Sequence, residues 1–379
     1  MSSSPVPPAR ASGHLAQLDG LRALAVLAVC WHHWMPKRYH LGLNWGALGV
    51  DLFFVLSGFL ITGILLDCRR LVESGEQGIA FTAKRFYARR FLRIFPLYYA
   101  VLALASFGLA LAPGVLVSLW TYTFNLYGAV AGGLSGSLVS HFWSLAVEEQ
   151  FYLLWPWVVL CLPRRGVFVA IAVALVLGPL SRHLMFTHGF PFDATRMITP
   201  SCLDLLCGGA LVGLLARAHG AAELARRPAT RLFGLVAGAL ALWGVWIQTR
   251  VEGSHDASAL DVLVVYSRWP FFAWLVLQAA RGWRGVLGRV LASRPLGYVG
   301  QISYGVYVFH AFALVLDRFG LAALPPLARL PVYALFTLVV SALSWRFFEA
   351  PINALKERYP YRAFSGGARA TGTGPRAAA

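Results

Sequence analysis

Along this chain, apolar residues gather into long runs broken by short polar segments rich in arginine, and the runs set the architecture. Stretches long enough to cross about 30 Å of hydrocarbon fall near residues 18–36, 46–67, 93–112, 143–162, 167–186, 200–216, 231–249, 260–280, 298–318 and 328–348. The pattern predicts an all-α, polytopic membrane protein of about ten transmembrane helices. The segments between runs alternate in charge. Arg69, Arg70, Lys84, Arg85, Arg89, Arg90 and Arg93 lie on one side, followed by Arg164 and Arg165, then Arg217, Arg226, Arg227 and Arg231, then Arg281, Arg284, Arg289 and Arg294. The intervening segments carry fewer cations, so the positive-inside rule places the N- and C-termini in the cytoplasm. Pro113–His141, apolar but broken by Gly and Ser, reads as a re-entrant hairpin or a short additional span. The expected domains are a disordered cytoplasmic N-terminus over 1–14, a transmembrane domain over 15–352, and a basic, disordered cytoplasmic tail over 353–379. The first dozen residues lack the features of a signal peptide, so the first span is expected to be retained.

Composition supports the membrane assignment. Of 379 residues, 58% are hydrophobic and 13% charged, about half the charged share of a soluble domain. The net charge of +17 could suggest nucleic acid, but the basic residues sit between apolar runs and read as topology signals, so no nucleic-acid partner is expected. Cys30, Cys68, Cys161, Cys202 and Cys207 lie in or beside apolar runs without CxxC spacing, which supports neither a disulfide framework nor a metal site.

Several ionisable groups stand inside these runs, where each costs about 2.5–3.5 kcal/mol or more and is by default a functional hypothesis. In the first run Arg22 and His33 are eleven positions apart, about 20° in azimuth and roughly 16 Å along a helix axis. They share a face near opposite ends, whereas His32 is turned roughly 80° away. Asp51, near the outer end of the second run, is placed to pair with His33 or to cap its helix. Ser57-Gly58 in the same run reads as a site of close helix packing. Arg90 and Arg93, at i and i+3, suit either a phosphate-rich ligand such as the nucleotide end of coenzyme A, or anionic lipid. In the fourth run Ser144, Glu148 and Tyr152 are spaced by four and form one polar stripe. Glu148 falls at a depth similar to that of His33, so a Glu148–His33 pair that fixes the imidazole tautomer is expected, with a structural ion pair as the alternative. His310 reads equally as a satisfied buried histidine or a catalytic one. Arg346 and Glu349 are expected to pair, while Asp204 and Asp261 stand isolated.

Taken together, Leu18-Asp19-Gly20-Leu21-Arg22 with His33, the run Phe53-Phe54-Val55-Leu56-Ser57-Gly58-Phe59, Arg90-x-x-Arg93, Trp143-Ser144-Leu145-Ala146-Val147-Glu148-Glu149-Gln150-Phe151-Tyr152 and Ile302-Ser303-Tyr304-Gly305-Val306-Tyr307-Val308-Phe309-His310 resemble the acyltransferase-3 family of integral membrane O-acyltransferases, in order and from about residue 15 to 352. The resemblance implies transfer of an acyl group, often acetyl, from acyl-coenzyme A to a hydroxyl of a carbohydrate or glycosylated small molecule such as a surface polysaccharide, a lipopolysaccharide sugar or a macrolide. It carries the family's arginine–histidine motif onto Arg22 and His33, its paired arginines onto Arg90 and Arg93, and its glutamate–tyrosine motif onto Glu148 and Tyr152. Longer members append an extracytoplasmic esterase-like domain, so no second step in cis is expected here.

The expected roles follow. His33 is the general base, Glu148 its orienting partner, and Arg22, Arg90 and Arg93 are donor-side cations. Tyr152 and Ser144 stabilise an oxyanion or position the acceptor. The enzyme is expected in the cell membrane, inner or plasma, with acyl-coenzyme A as co-substrate, no bound cofactor, a carbohydrate or glycoside acceptor and the bilayer as partner. A competing reading is a transporter or flippase for a lipid-linked sugar that uses the same histidine and glutamate as a proton relay.

Overall fold

The computed structural model describes residues 16–134, 137–251 and 268–362, and every regular element among them is helical. The helices are α1 (Ala16–Trp34), α2 (Trp45–Glu73), α3 (Ile79–Gly108), α4 (Pro113–Trp120), α5 (Phe124–Val130), α6 (Phe142–Cys161), α7 (Arg164–Thr187), α8 (Leu203–His219), α9 (Ala221–Arg226), α10 (Pro228–Val251), α11 (Trp269–Arg281), α12 (Gly285–Leu291), α13 (Arg294–Gln301), α14 (Ser303–Phe309), α15 (Pro326–Ser344) and α16 (Ala350–Ala354). Among the described residues, six helical stretches are long and apolar enough to cross a membrane, or seven if the pair Arg294–Gln301 and Ser303–Phe319, bent by 62°, counts as one span. The expected spans at 18–36 and 143–162 are the helices α1 and α6, which fall outside that set because they carry the polar groups that make them interesting. Residues 260–267 of the expected span at 260–280, Asp261 among them, lie outside the described residues, as do the segment 1–14 and the tail from 363. Pro113–His141 contains two short helices, α4 and α5, of eight and seven residues, each too short to cross.

α2 is the axis of the bundle. Of its most apolar window 72% is buried, against 17% for Pro326–Arg358 at the periphery. Its start is fixed by Asn44, whose side chain accepts a hydrogen bond from the backbone N–H of Ala47 at 2.8 Å. α2 crosses α8 at backbone contact: a Cβ at Gly58 would stand 1.8 Å from the carbonyl oxygen of Leu206, and one at Gly209 would stand 2.0 Å from that of Val55. Only glycine fits at either point. In hydrocarbon, where apolar burial gives helices no reason to associate, such close approach is what holds them together. The outer surface is apolar, with Leu104, Phe107, Leu153 and Leu335 exposed where lipid tails would lie.

Two buried carboxylates, each paired with arginine, cross-link the bundle, and both revise expectations. Asp51 does not meet His33; it accepts from Arg196 at 2.6 Å and faces Arg268 at 3.4 Å, residues 145 and 217 positions away. Asp204 is not isolated but takes both guanidinium nitrogens of Arg182, at 2.9 and 2.7 Å. A buried carboxylate in a low-dielectric interior is tolerated only with such a partner. Nor do Arg346 and Glu349 form an ion pair: Glu349 accepts from the Ser344 hydroxyl at 2.9 Å. The beginning of the tail is ordered. Residues Leu355–Arg358 form a 3-10 turn whose carbonyls are gripped by α3, with Arg85 donating to Arg358 at 2.7 Å and Arg89 to Lys356 at 2.9 Å.

Candidate active site

Two cavities among the described residues share lining from α2. The first, of about 300 Å³, is cationic: Arg22, Arg89, Arg90, Arg93 and Lys356 line it against one carboxylate, Glu148. α3 supplies three of the arginines because it is amphipathic where it emerges, and its basic side turns inward against α6 and the strap that follows α16. Arg90 lies over the ring of Tyr152 at 5.3 Å and Arg93 over that of Trp345 at 5.7 Å, so both guanidinium groups are held by aromatic faces. Arg89 lies 4.5 Å over the Tyr361 ring, which lines the same cavity. Such an array of planar, forked cations suits phosphate.

Deeper in this cavity three side chains form a chain of hydrogen bonds. Tyr152 donates to the Ser57 oxygen at 2.9 Å, and Ser57 donates to Glu148 at 2.6 Å. Ser144, one turn before Glu148, bonds instead to the Tyr307 hydroxyl at 2.6 Å, which itself donates to the carbonyl of His141 at 2.8 Å.

The second cavity, of about 370 Å³, is lined by His32, His33, His141, Trp143 and Arg196 among others. Val50 and Tyr307 line both cavities. His33 and His141 of this cavity cluster with a third imidazole, His310, behind its lining. The ring centroids of His33 and His310 are 4.8 Å apart, those of His141 and His310 4.6 Å, and those of His33 and His141 6.4 Å. Among the described residues, no group of three or more His, Cys, Asp or Glu side chains could hold a metal ion.

The partners of these rings decide their tautomers. His310 Nδ1 faces the carbonyl of Tyr307 at 2.6 Å and carries the proton, leaving Nε2 as an acceptor. His33 Nδ1 stands 2.9 Å from the carbonyl of Val29 and 3.2 Å from His310 Nε2, so its proton is shared between two acceptors. The lone pair of His33 is therefore on Nε2, where a general base needs it.

Of the residues singled out in the sequence, Arg22, Arg90, Arg93, Ser144, Glu148 and Tyr152 come together in the cationic cavity, and His33 stands in the other. The bond expected between His33 and Glu148 is not made. His33 is level with His141, seven residues before Glu148, and seven residues of helix are about 10 Å of depth. The tautomer of His33 is set from within its own helix, by Val29. Sequence reasoning missed His141 and Tyr307, although both stood in or beside quoted motifs. It also missed Asn353, Lys356 and Tyr361, which no pattern marks.

A family described as an acyltransferase domain matches residues 15–346. The peptidoglycan O-acetyltransferase OatA of Listeria monocytogenes is 28% identical over 365 residues, covering 90% of this chain and 56% of the relative. YrhL of Bacillus subtilis is 29% identical over 388 residues, covering 90% and 55%. The O-acetyltransferase OatA of Staphylococcus aureus is 25% identical over 374 residues, covering 90% and 57%. The chain spans a little over half the length of these relatives. No solved structure matches.

Proposed function

Because the chain belongs to the acyltransferase domain family, we propose that it moves an acyl group, acetyl in the first instance, from acyl-coenzyme A to a hydroxyl of a carbohydrate, with a peptidoglycan-type glycan as the first acceptor to test. The observation that carries this reading is the pair of adjacent cavities that share Val50 and Tyr307, one lined by cations and the other by histidines. The nucleotide phosphates of the donor bind Arg89, Arg90, Arg93 and Lys356, and the pantetheine arm runs inward past Arg22. Arg22 and His33 are roughly 16 Å apart along α1, comparable to the reach of that arm. The acceptor sits in the histidine-lined cavity, where His33 Nε2 takes the proton of the attacking hydroxyl. Ten spans, with both termini and the donor cavity on the cytoplasmic side of the cell membrane, complete the proposal; the arginine distribution supports that orientation. The transporter reading is not favoured by family membership.

The test uses purified protein in nanodiscs, acetyl-coenzyme A labelled in the acetyl group, and a panel of glycan acceptors. Label is expected in an ester on the acceptor, released by mild base. Movement of a glycan across the bilayer with no label transferred would overturn the proposal.

A further inference from the structure

Two polar side chains lining the cationic cavity are left unmatched by the protein. Ser303 is 1% exposed and Asn353 7%, and among the described residues the Ser303 Oγ and the Asn353 Oδ1 are buried without a hydrogen-bond partner. Each such atom gives up its bonds to water and receives none in return, so each lowers the stability of the fold. Neighbouring hydroxyls of the same cavity are matched: Ser57 by Glu148, Ser144 by Tyr307, and Tyr304 by the carbonyl of Ile94. A buried group without a partner calls for one, and the cavity that both residues line is where a ligand would supply it.

The two residues occupy different parts of the cavity wall. Tyr304 donates to the carbonyl of Ile94 at 2.8 Å, which ties the first turn of α14 to α3 one residue past Arg93. Tyr307 follows Ser303 by four residues on the same face of α14 and lines the histidine cavity as well. Ser303 therefore lies between the phosphate-binding cations and the imidazoles, seven residues or about 10 Å of helix from His310. An arm joining phosphates to a thioester passes there, and the hydrogen-bonding groups along that part of coenzyme A are its two amides. Asn353 belongs to α16, three residues before Lys356, and shares the cavity with it and with Arg89 and Arg90. In coenzyme A the adenine is joined through its ribose to the phosphates, so a side chain beside the phosphate cations is placed for the base. Its amide offers an acceptor next to a donor, the pattern that the edge of adenine complements.

We propose that Ser303 and Asn353 recognise the two uncharged parts of the donor: Ser303 bonds an amide of the pantetheine arm, and Asn353 bonds the exocyclic amine and adjoining ring nitrogen of the adenine. This rests on the acyl-coenzyme A reading above and deepens it. Arginines and a lysine by themselves select only for phosphate, and any nucleoside di- or triphosphate would satisfy them. The two unmatched groups are what distinguish coenzyme A from such nucleotides. Neither touches the thioester, so both interactions are equal in the ground state and the transition state, and they set KM and leave kcat.

The experiment measures binding of three probes to the whole chain in nanodiscs: coenzyme A, adenosine 3′,5′-bisphosphate, and an etheno-adenine coenzyme A that lacks the exocyclic N–H groups. Ser303→Ala is expected to weaken coenzyme A about 2- to 12-fold, the worth of one hydrogen bond, and to leave the bisphosphate, which has no pantetheine arm, within about twofold. Asn353→Ala is expected to weaken coenzyme A and the bisphosphate by the same factor. It should also bind coenzyme A and the etheno analogue alike, where wild type prefers coenzyme A by about fivefold or more. In both variants kcat for transfer should stay within about twofold of wild type. Because Ser303→Ala removes an unmatched buried hydroxyl, the unliganded variant should unfold at or above the wild-type temperature, which loss of a structural residue would not produce. Four results would overturn the assignment while leaving the donor reading intact: coenzyme A binding unchanged in either variant, Ser303→Ala weakening the bisphosphate as much as coenzyme A, Asn353→Ala keeping the preference over the etheno analogue, or a lowered unfolding temperature for unliganded Ser303→Ala. Failure of the wild type to bind coenzyme A would instead overturn the donor reading, and this inference with it.

Discussion

The environment of His33 makes a graded prediction for its neighbours. If Nε2 of His33 is the base, His33→Ala should lower kcat by about 10²–10⁴-fold, the range for a positioned general base, which is roughly 2.7–5.4 kcal/mol of barrier. His310 contributes only one of two acceptors for the His33 Nδ1 proton, and at 3.2 Å it is the more distant of the two; Val29 at 2.9 Å remains when it is removed. Losing one such bond costs about 0.5–1.5 kcal/mol, so His310→Ala should lower kcat only about 2- to 12-fold. His32 lines the same cavity as His33, with its ring 5.3 Å from that of His33 and 4.9 Å from that of His40, but its Nδ1 is buried with no hydrogen-bond partner to fix a tautomer. His32→Ala should therefore keep most activity. The assay is single-turnover transfer of labelled acetyl to acceptor in nanodiscs, with each variant first checked for insertion and thermal unfolding. A loss beyond about 100-fold in a well-folded His310→Ala would make His310, and not Val29, the group that sets the tautomer. An active His33→Ala would remove the base assignment altogether.

Three further outcomes are expected. Changing Arg90 and Arg93 together to Gln should raise KM for the acyl donor by about tenfold or more with a smaller fall in kcat, the signature of lost uniform binding; a fall in kcat alone would refute the donor assignment. Lys356→Ala should raise the same KM several-fold, less than the arginine pair, and equilibrium binding of coenzyme A would show no change if the strap after α16 is irrelevant to the donor. Gly58→Ala forces a methyl group onto a carbonyl oxygen now 1.8 Å from that position and should destabilise the bundle by about 1–3 kcal/mol, read as a lowered unfolding temperature in detergent. Gly108→Ala, with no atom within 4 Å of the added carbon, is the control and should unfold within a degree or two of wild type.

Helical periodicity is a local property, and what it controls was legible in the chain. The runs predicted an all-helical membrane fold, and the described residues are helical wherever they are regular. The spacing of Ser144, Glu148 and Tyr152 put three side chains on one face of α6, and all three line one cavity. Arg22 and His33 lie at the two ends of a shared face, in different cavities, as eleven residues of rise require. Periodicity says nothing about how one helix stands in depth against another. That register is set by contacts such as the glycine crossing of α2 and α8, and it carried Glu148 to Ser57 and left His33 level with His141. Asp51 likewise found Arg196 and Arg268 far along the chain, because a buried carboxylate takes whichever cation packing delivers. Lys356 and Tyr361 lie in a stretch with no apolar period to mark it as structured. They reach the cavity only because Arg85 and Arg89 of α3 hold the backbone of that strap in place, a decision made by tertiary hydrogen bonds between residues more than 260 positions apart.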